Sequence, residues 1–103
     1  MKEITSYKEI TENSDDMSIK SGINYFCDKK QEVLDYFKKY NIPDIVTACG
    51  ITDFITGEEF HRESIKCFND GVYCWSNLEI YHFEKYDLKL NDDFIQHVLK
   101  QTK

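Results

Sequence analysis

The sequence predicts a single α+β domain in which a small antiparallel sheet with a central hairpin is packed by about three helices. Three observations carry this: Asp70-Gly71 lies between two β-prone runs, and capping-box tetrads stand at Asp28-Lys29-Lys30-Gln31 and Ser76-Asn77-Leu78-Glu79. The third is size, because a chain of 103 residues with 41% hydrophobic and 15% aromatic content suffices for one core without metal or disulfide staples.

Residues 1–20 hold no sustained apolar period, and Asn13-Ser14-Asp15-Asp16 is a turn-forming cluster. This stretch reads as an arm with at most a short strand or helical turn. Apolar content restarts at Ile23, Tyr25 and Phe26, and Asp28 as N-cap with Gln31 reaching back predicts a helix from Asp28 to about Tyr40. Its apolar stripe is Val33, Leu34 and Phe37, continued by Tyr40, and Asn41 before Pro43 ends it.

From Asp44 to Ile51 the run Ile45-Val46-Thr47 followed by Ala48 and Cys49 predicts a largely buried strand. Thr56-Gly57 marks a turn. Ser64–Phe68 and Val72–Trp75 should pair as a hairpin through a type I′ turn, which needs positive φ at both central residues. That register sets Cys67 directly opposite Cys74, where a crosslink is geometrically conceivable, although free thiols are expected in a reducing compartment.

Ser76 to Glu79 then starts a helix, with Trp75 before the cap and Ile80 placed to form a hydrophobic staple; a strand over Leu78–Phe83 is the competitor. Leu78, Ile80, Tyr81, Phe83 and Tyr86 surround this helix, so it should be sandwiched between other elements. The last helix runs from Asp92 to about Gln101, with Asn91 as N-cap, acids at its positive end, and Phe94, Ile95, Val98 and Leu99 on one face.

Charge narrows the partner classes. The formal net charge is −6 and Arg62 is the only arginine, so nucleic acid is an improbable partner, since phosphate neutralisation needs clustered basic residues. No apolar h-region opens the chain and no window is long enough for a membrane span, so a cytoplasmic protein without a membrane partner is expected. The acids concentrate in the middle, where Asp44, Asp53, Glu58, Glu59, Glu63 and Asp70 face only Arg62 and Lys66. A basic protein surface would be steered there, although ordinary solubility charge explains the same pattern.

Catalytic chemistry finds little footing. Cysteines 27, 49, 67 and 74 lack Cys-x-x-Cys spacing, and adding His61 and His82 to Cys67 and Cys74 matches no common zinc site. Cys67 or Cys74 with His82, oriented by Asp53 or Asp70, is the best thiol-enzyme arrangement, yet cysteine on an apolar strand is more often core. The Glu58-Glu59 and Asp92-Asp93 pairs diverge in direction, and no glycine-rich phosphate loop is present. No catalytic residue, cofactor or metal is assigned, and a non-enzyme is expected.

From Asp53 onward the pattern is Asp53-x-x-Thr56-Gly57-Glu58, Ser64, Asp70-Gly71-x-Tyr73-x-Trp75, Leu78, Tyr81, Glu84-Lys85-Tyr86, Leu88, Leu90 and Asp93-Phe94-Ile95-x-His97. Over about half the chain it resembles small immunity proteins of bacterial polymorphic toxin systems, including those of contact-dependent growth inhibition. The resemblance implies a cytoplasmic inhibitor that binds one cognate toxin domain, commonly a nuclease, and blocks its active site or substrate groove. Charge and loop position, rather than a matched contact set, nominate Asp53, Glu58, Glu59, Glu63 and Asp70 as acidic partner contacts and Tyr73 as an aromatic anchor. The alternative is a small ligand-sensing or structural accessory domain that uses the aromatics around Trp75 and Tyr81 as a pocket.

Overall fold

The computed structural model describes residues 1–101, which form β1 (Lys2–Glu3), α1 (Lys8–Thr11), α2 (Lys30–Lys39), β2 (Ile45–Thr52), β3 (Glu59–Asn69), β4 (Tyr73–Ser76), α3 (Asn77–Tyr86) and α4 (Asp92–Gln101). The strands make one sheet in the order β1-β4-β3-β2. The α+β class is as the sequence predicts, and β2, β3 and β4 are antiparallel. The sheet as a whole is mixed, because β1 joins β4 in parallel, with Lys2 N–H donating to Val72 O at 3.0 Å. No helix among the described residues is long and apolar enough to cross a membrane.

Alternation along β4 sets the core. Tyr73 and Trp75 are buried toward α2 and α4, while Cys74 between them is only half-buried. The Phe37 ring of α2 stacks on Phe94 of α4 at 5.9 Å, and Trp75 lies 5.3 Å from Phe37 and 5.8 Å from Phe94. Such aromatic contacts are worth about 0.5–1.5 kcal/mol each beyond the area they bury. Val33 and Val98 complete the seam, and Phe83 brings in α3.

The first twenty residues are part of this core rather than a loose arm. Ile4 and Ile19 are fully buried; Ile4 O accepts Asn91 N–H at 2.8 Å, and Tyr7 OH donates to Lys89 O at 2.6 Å. Gly22 permits that contact, since a Cβ there would overlap the Tyr7 ring.

Both predicted capping boxes meet different fates. At α3 the Glu79 carboxylate accepts the Ser76 N–H at 3.2 Å, and the helix forms, so the strand alternative for Leu78–Phe83 falls away. The reciprocal Ser76 hydroxyl contact is longer, leaving its Oγ without a partner at hydrogen-bond distance. At α2 the box does not form. The helix begins at Lys30, one residue later than an Asp28 cap requires, because Lys29, at φ −108°, ψ 21°, lacks the helical geometry of a first helical residue; Gln31 donates instead to Asp35 Oδ1 at 2.9 Å. Asn91 likewise caps α4 through its backbone carbonyl, with its side-chain amide donating to Glu3 O at 3.3 Å.

The hairpin exists, but its register is shifted. Cys67 pairs with Ser76, Phe68 with Trp75 and Asn69 with Cys74. Only Gly71, at φ 93°, takes positive φ in the turn, so a type I′ turn cannot form. Asp70 Oδ1 instead accepts the N–H groups of Val72 at 2.9 Å and Tyr73 at 2.7 Å, and Asn69 Oδ1 accepts Gly71 N–H at 3.0 Å. Cys74 therefore lies diagonal to Cys67, where residues are about 7–8 Å apart, beyond the Cα separation of up to about 6.8 Å that a disulfide spans. Mass spectrometry of alkylated, non-reduced protein is expected to find both cysteines separately alkylated; a Cys67–Cys74 crosslinked peptide would refute the register.

The largest departure concerns β2. The sequence predicts a largely buried strand, yet Ile45 is 59% and Val46 56% exposed, because β2 is the terminal strand of the sheet and pairs only with β3 among the described residues. Its ladder is irregular, with register shifts between Val46 and Gly50 and between Gly50 and Ile51.

Candidate protein-binding surface

Six residues nominated from charge and loop position separate into two groups of three. Asp53 is buried in the turn that joins β2 to β3, with a side chain only 1% exposed. Its Oδ1 accepts the N–H groups of Ile55 at 2.9 Å and Thr56 at 3.0 Å, shaping the Thr56-Gly57 turn that the sequence predicts. Its Oδ2 accepts the hydroxyls of Tyr81 at 2.7 Å and Tyr86 at 2.5 Å from α3, with Lys85 Nζ 3.8 Å away. Burial raises the affinity of this carboxyl for a proton, but the hydrogen bonds from Tyr86, Thr56, Tyr81 and Ile55 outweigh it and hold the pKa well below the ordinary range.

Asp70 plays the same part in the turn that joins β3 to β4. Beyond the two turn amides, its Oδ2 accepts the Tyr36 hydroxyl and lies 2.8 Å from His97 Nε2, fastening the hairpin loop to α2 and α4. Burial pushes its pKa up, and the bonds from Tyr36, Tyr73, Val72 and His97 more than reverse that, leaving it lowered. Tyr73 is a core residue whose hydroxyl donates to Asp93 Oδ2 at 3.2 Å and whose ring packs 5.2 Å from Phe94. Asp53, Asp70 and Tyr73 are therefore corrected from partner contacts to internal supports: each is sealed by donors or rings from sequence-distant elements.

Glu58, Glu59 and Glu63 remain on the surface, as does Asp44 at the start of β2. All four border the β2–β3 ribbon, and Glu59 sits opposite Thr52 at its far end. At the Asp44 end, away from Glu58 and Glu59, the ribbon and its approach expose Ile42, Ile45 and Val46, with Lys66 across from Val46. Apolar side chains with an acidic border are the makings of a protein contact with a basic partner. The exposed apolar component escaped the sequence reading, because a β-branched run looks the same on a terminal strand as on a central one.

The thiol arrangement loses its base. His82 is fully buried, its Nε2 accepting Phe54 N–H at 3.0 Å and its Nδ1 bonded to Leu78 O at 2.7 Å, so both ring nitrogens are occupied. Burial also pushes the Cys74 thiol up, away from the reactive thiolate. His97, expected as a surface or helix-end residue, is instead tied to Asp70. Among the described residues no three His, Cys, Asp or Glu side chains are grouped to hold a metal ion.

Trp75 is packed within the core, and one side of it also lines a cavity. This cavity, of about 410 Å³, is bounded by Trp75 together with Ile10, Phe54, Ile65, Cys67 and Leu78, and Tyr81 is not part of its lining. Neither a family model, a curated protein nor a solved structure matches this chain.

Proposed function

We propose that this protein is a non-catalytic inhibitor of the immunity type, which binds a cognate bacterial toxin domain with a basic, nuclease-like surface and occludes its active site or substrate groove. The observation that carries the reading is the exposed β2–β3 ribbon, which uncovers Ile45 and Val46 beside Asp44 at one end and carries Glu58, Glu59 and Glu63 toward the other. The carboxylates supply steering and register toward a phosphate-binding surface, and the apolar residues supply burial. The chain's net charge of −6 favours encounter with a cationic partner. The C-terminal pattern from Asp53 to His97 adds the resemblance to toxin immunity proteins.

Isothermal titration against the C-terminal domain of the protein encoded immediately upstream tests this. Saturable binding that weakens with salt is expected, and the double reversal Glu58→Lys with Glu59→Lys should weaken it about tenfold, or about 1.4 kcal/mol. Absence of heat together with failure to protect cells expressing that domain would end the reading. The 410 Å³ cavity favours a second reading, a small-ligand domain, whose mark would be a thermal shift with a small molecule and no protein partner.

A further inference from the structure

Strand β2 is an unusual edge. Protein edges are ordinarily blunted by charged residues, proline or bulges, because a bare row of N–H and C=O groups invites pairing with another chain. The segment Ile45–Thr52 contains no charged residue and no proline, and its irregular register against β3 is its one protective feature. Among the described residues its outer side has no strand partner. Eight residues at about 3.3 Å each offer an edge about 26 Å long.

The ends of this edge are charged although its middle is not. Asp44 precedes the strand, and Glu59 lies across from Thr52 at its close; both are exposed. We propose that the free edge of β2 accepts an extended segment of a protein partner as an added strand, one with an uncharged β-branched centre and basic residues on both flanks. The inference rests on the inhibitor reading and specifies how the partner is held: main-chain hydrogen bonds along Ile45–Thr52, side-chain packing on Ile45 and Val46, and charge pairing at Asp44 and Glu59. A second copy of the chain fits poorly. Antiparallel pairing of two β2 edges would bring Asp44 of one toward Glu59 of the other, setting like charges together between chains of net charge −6.

The test uses a synthetic peptide with a Thr-Val-Ile-Val-Thr centre and two lysines at each end, a glutamate-flanked counterpart, and a version with proline at its middle. Amide hydrogen exchange of the full chain is followed by NMR. With saturating lysine-flanked peptide, outward-facing amides within 45–52 should slow at least about tenfold, and the two control peptides should leave them unchanged. Val46→Lys, at an exposed position, should lower peptide affinity at least about fivefold with an unaltered circular dichroism spectrum. Three results would overturn the proposal: no binding of the lysine-flanked peptide, binding without protection of β2, or protection that appears without peptide and grows with protein concentration. The same exchange measurement on the complex with the upstream-encoded domain separates the two ideas. Tight binding with an unprotected β2 removes strand addition and leaves the inhibitor reading intact, whereas protection by peptide with no binding of the domain does the reverse.

Discussion

Asp53→Ala is expected to destabilise the fold by about 3–4 kcal/mol, a large share of the roughly 5–15 kcal/mol that holds a domain of this size together. The substitution strands four donors at once: the N–H groups of Ile55 and Thr56, and the hydroxyls of Tyr81 and Tyr86. It also removes the carboxylate that links the β2–β3 turn to α3, leaving the Phe54 N–H bond to His82 Nε2 between them. In thermal unfolding followed by circular dichroism the midpoint should drop by about 15 °C. Asp53→Asn, which keeps the shape but presents an amide nitrogen where one pair of donors converges, should fall between the variant and the parent. The pH dependence has a fixed sign: the folded pKa is depressed, so the stabilisation is present above the unfolded value of 3.8 and fades as pH falls toward the folded one. The gap between parent and Asp53→Ala should therefore narrow in strong acid. A loss under about 1 kcal/mol at neutral pH would mark Asp53 as an ordinary solvated charge.

Glu79→Gln should act in the opposite direction. Glu79 is buried with no cationic partner in hydrogen-bond reach among the described residues; Thr5 Oγ1 donates to it at 2.7 Å and Ser76 N–H at 3.2 Å. Burial outweighs the downward pull of those two bonds, and the carboxyl is pushed up to about 7. The folded state then keeps a proton that the unfolded chain has released, so stability falls as pH rises from about 4.5 to about 7 and the cost is complete above that. The interval corresponds to about 3 kcal/mol at most. Glutamine resembles the protonated acid and loses this dependence, since the Thr5 hydroxyl can turn to accept from it. Urea unfolding at pH 5 and pH 8 should show the variant equal to the parent at the lower value and more stable by about 2 kcal/mol at the higher. Parallel pH profiles for the two proteins would refute an internal, proton-bearing Glu79.

Both residues were in view in the sequence, but each with only part of its role. Asp53 reads as a contact for a partner, and Glu79 as the closing member of a capping box on a sandwiched helix. The cap was right because a capping box is a relation between residues three apart, which the sequence states outright. Burial of Glu79 was not legible, because it follows from Thr5, 74 residues away, coming to rest on it. The signal that could have flagged Asp53 was the pairing of an Asx-type turn with a helix carrying Tyr81, Lys85 and Tyr86, all able to donate to one carboxylate. Asp70 gave a partial signal in its Asp-Gly pair, which correctly marks a hairpin; the side chain then took over the turn and moved the register by two residues on β4.

By itself the sequence determined the α+β class, the positions of α3 and α4, the hairpin, the Thr56-Gly57 turn and the acidic character of the chain. Those are consequences of local periodicity, capping and summed charge, each readable within a few residues. The tertiary structure alone decided that β1 runs parallel beside β4, that residues 1–20 enter the core, that β2 is an exposed terminal strand, and which carboxylates face water. Those outcomes depend on donors, rings and strand neighbours contributed by residues tens of positions away, and a carboxylate or a β-branched run carries no local mark of whether such neighbours arrive.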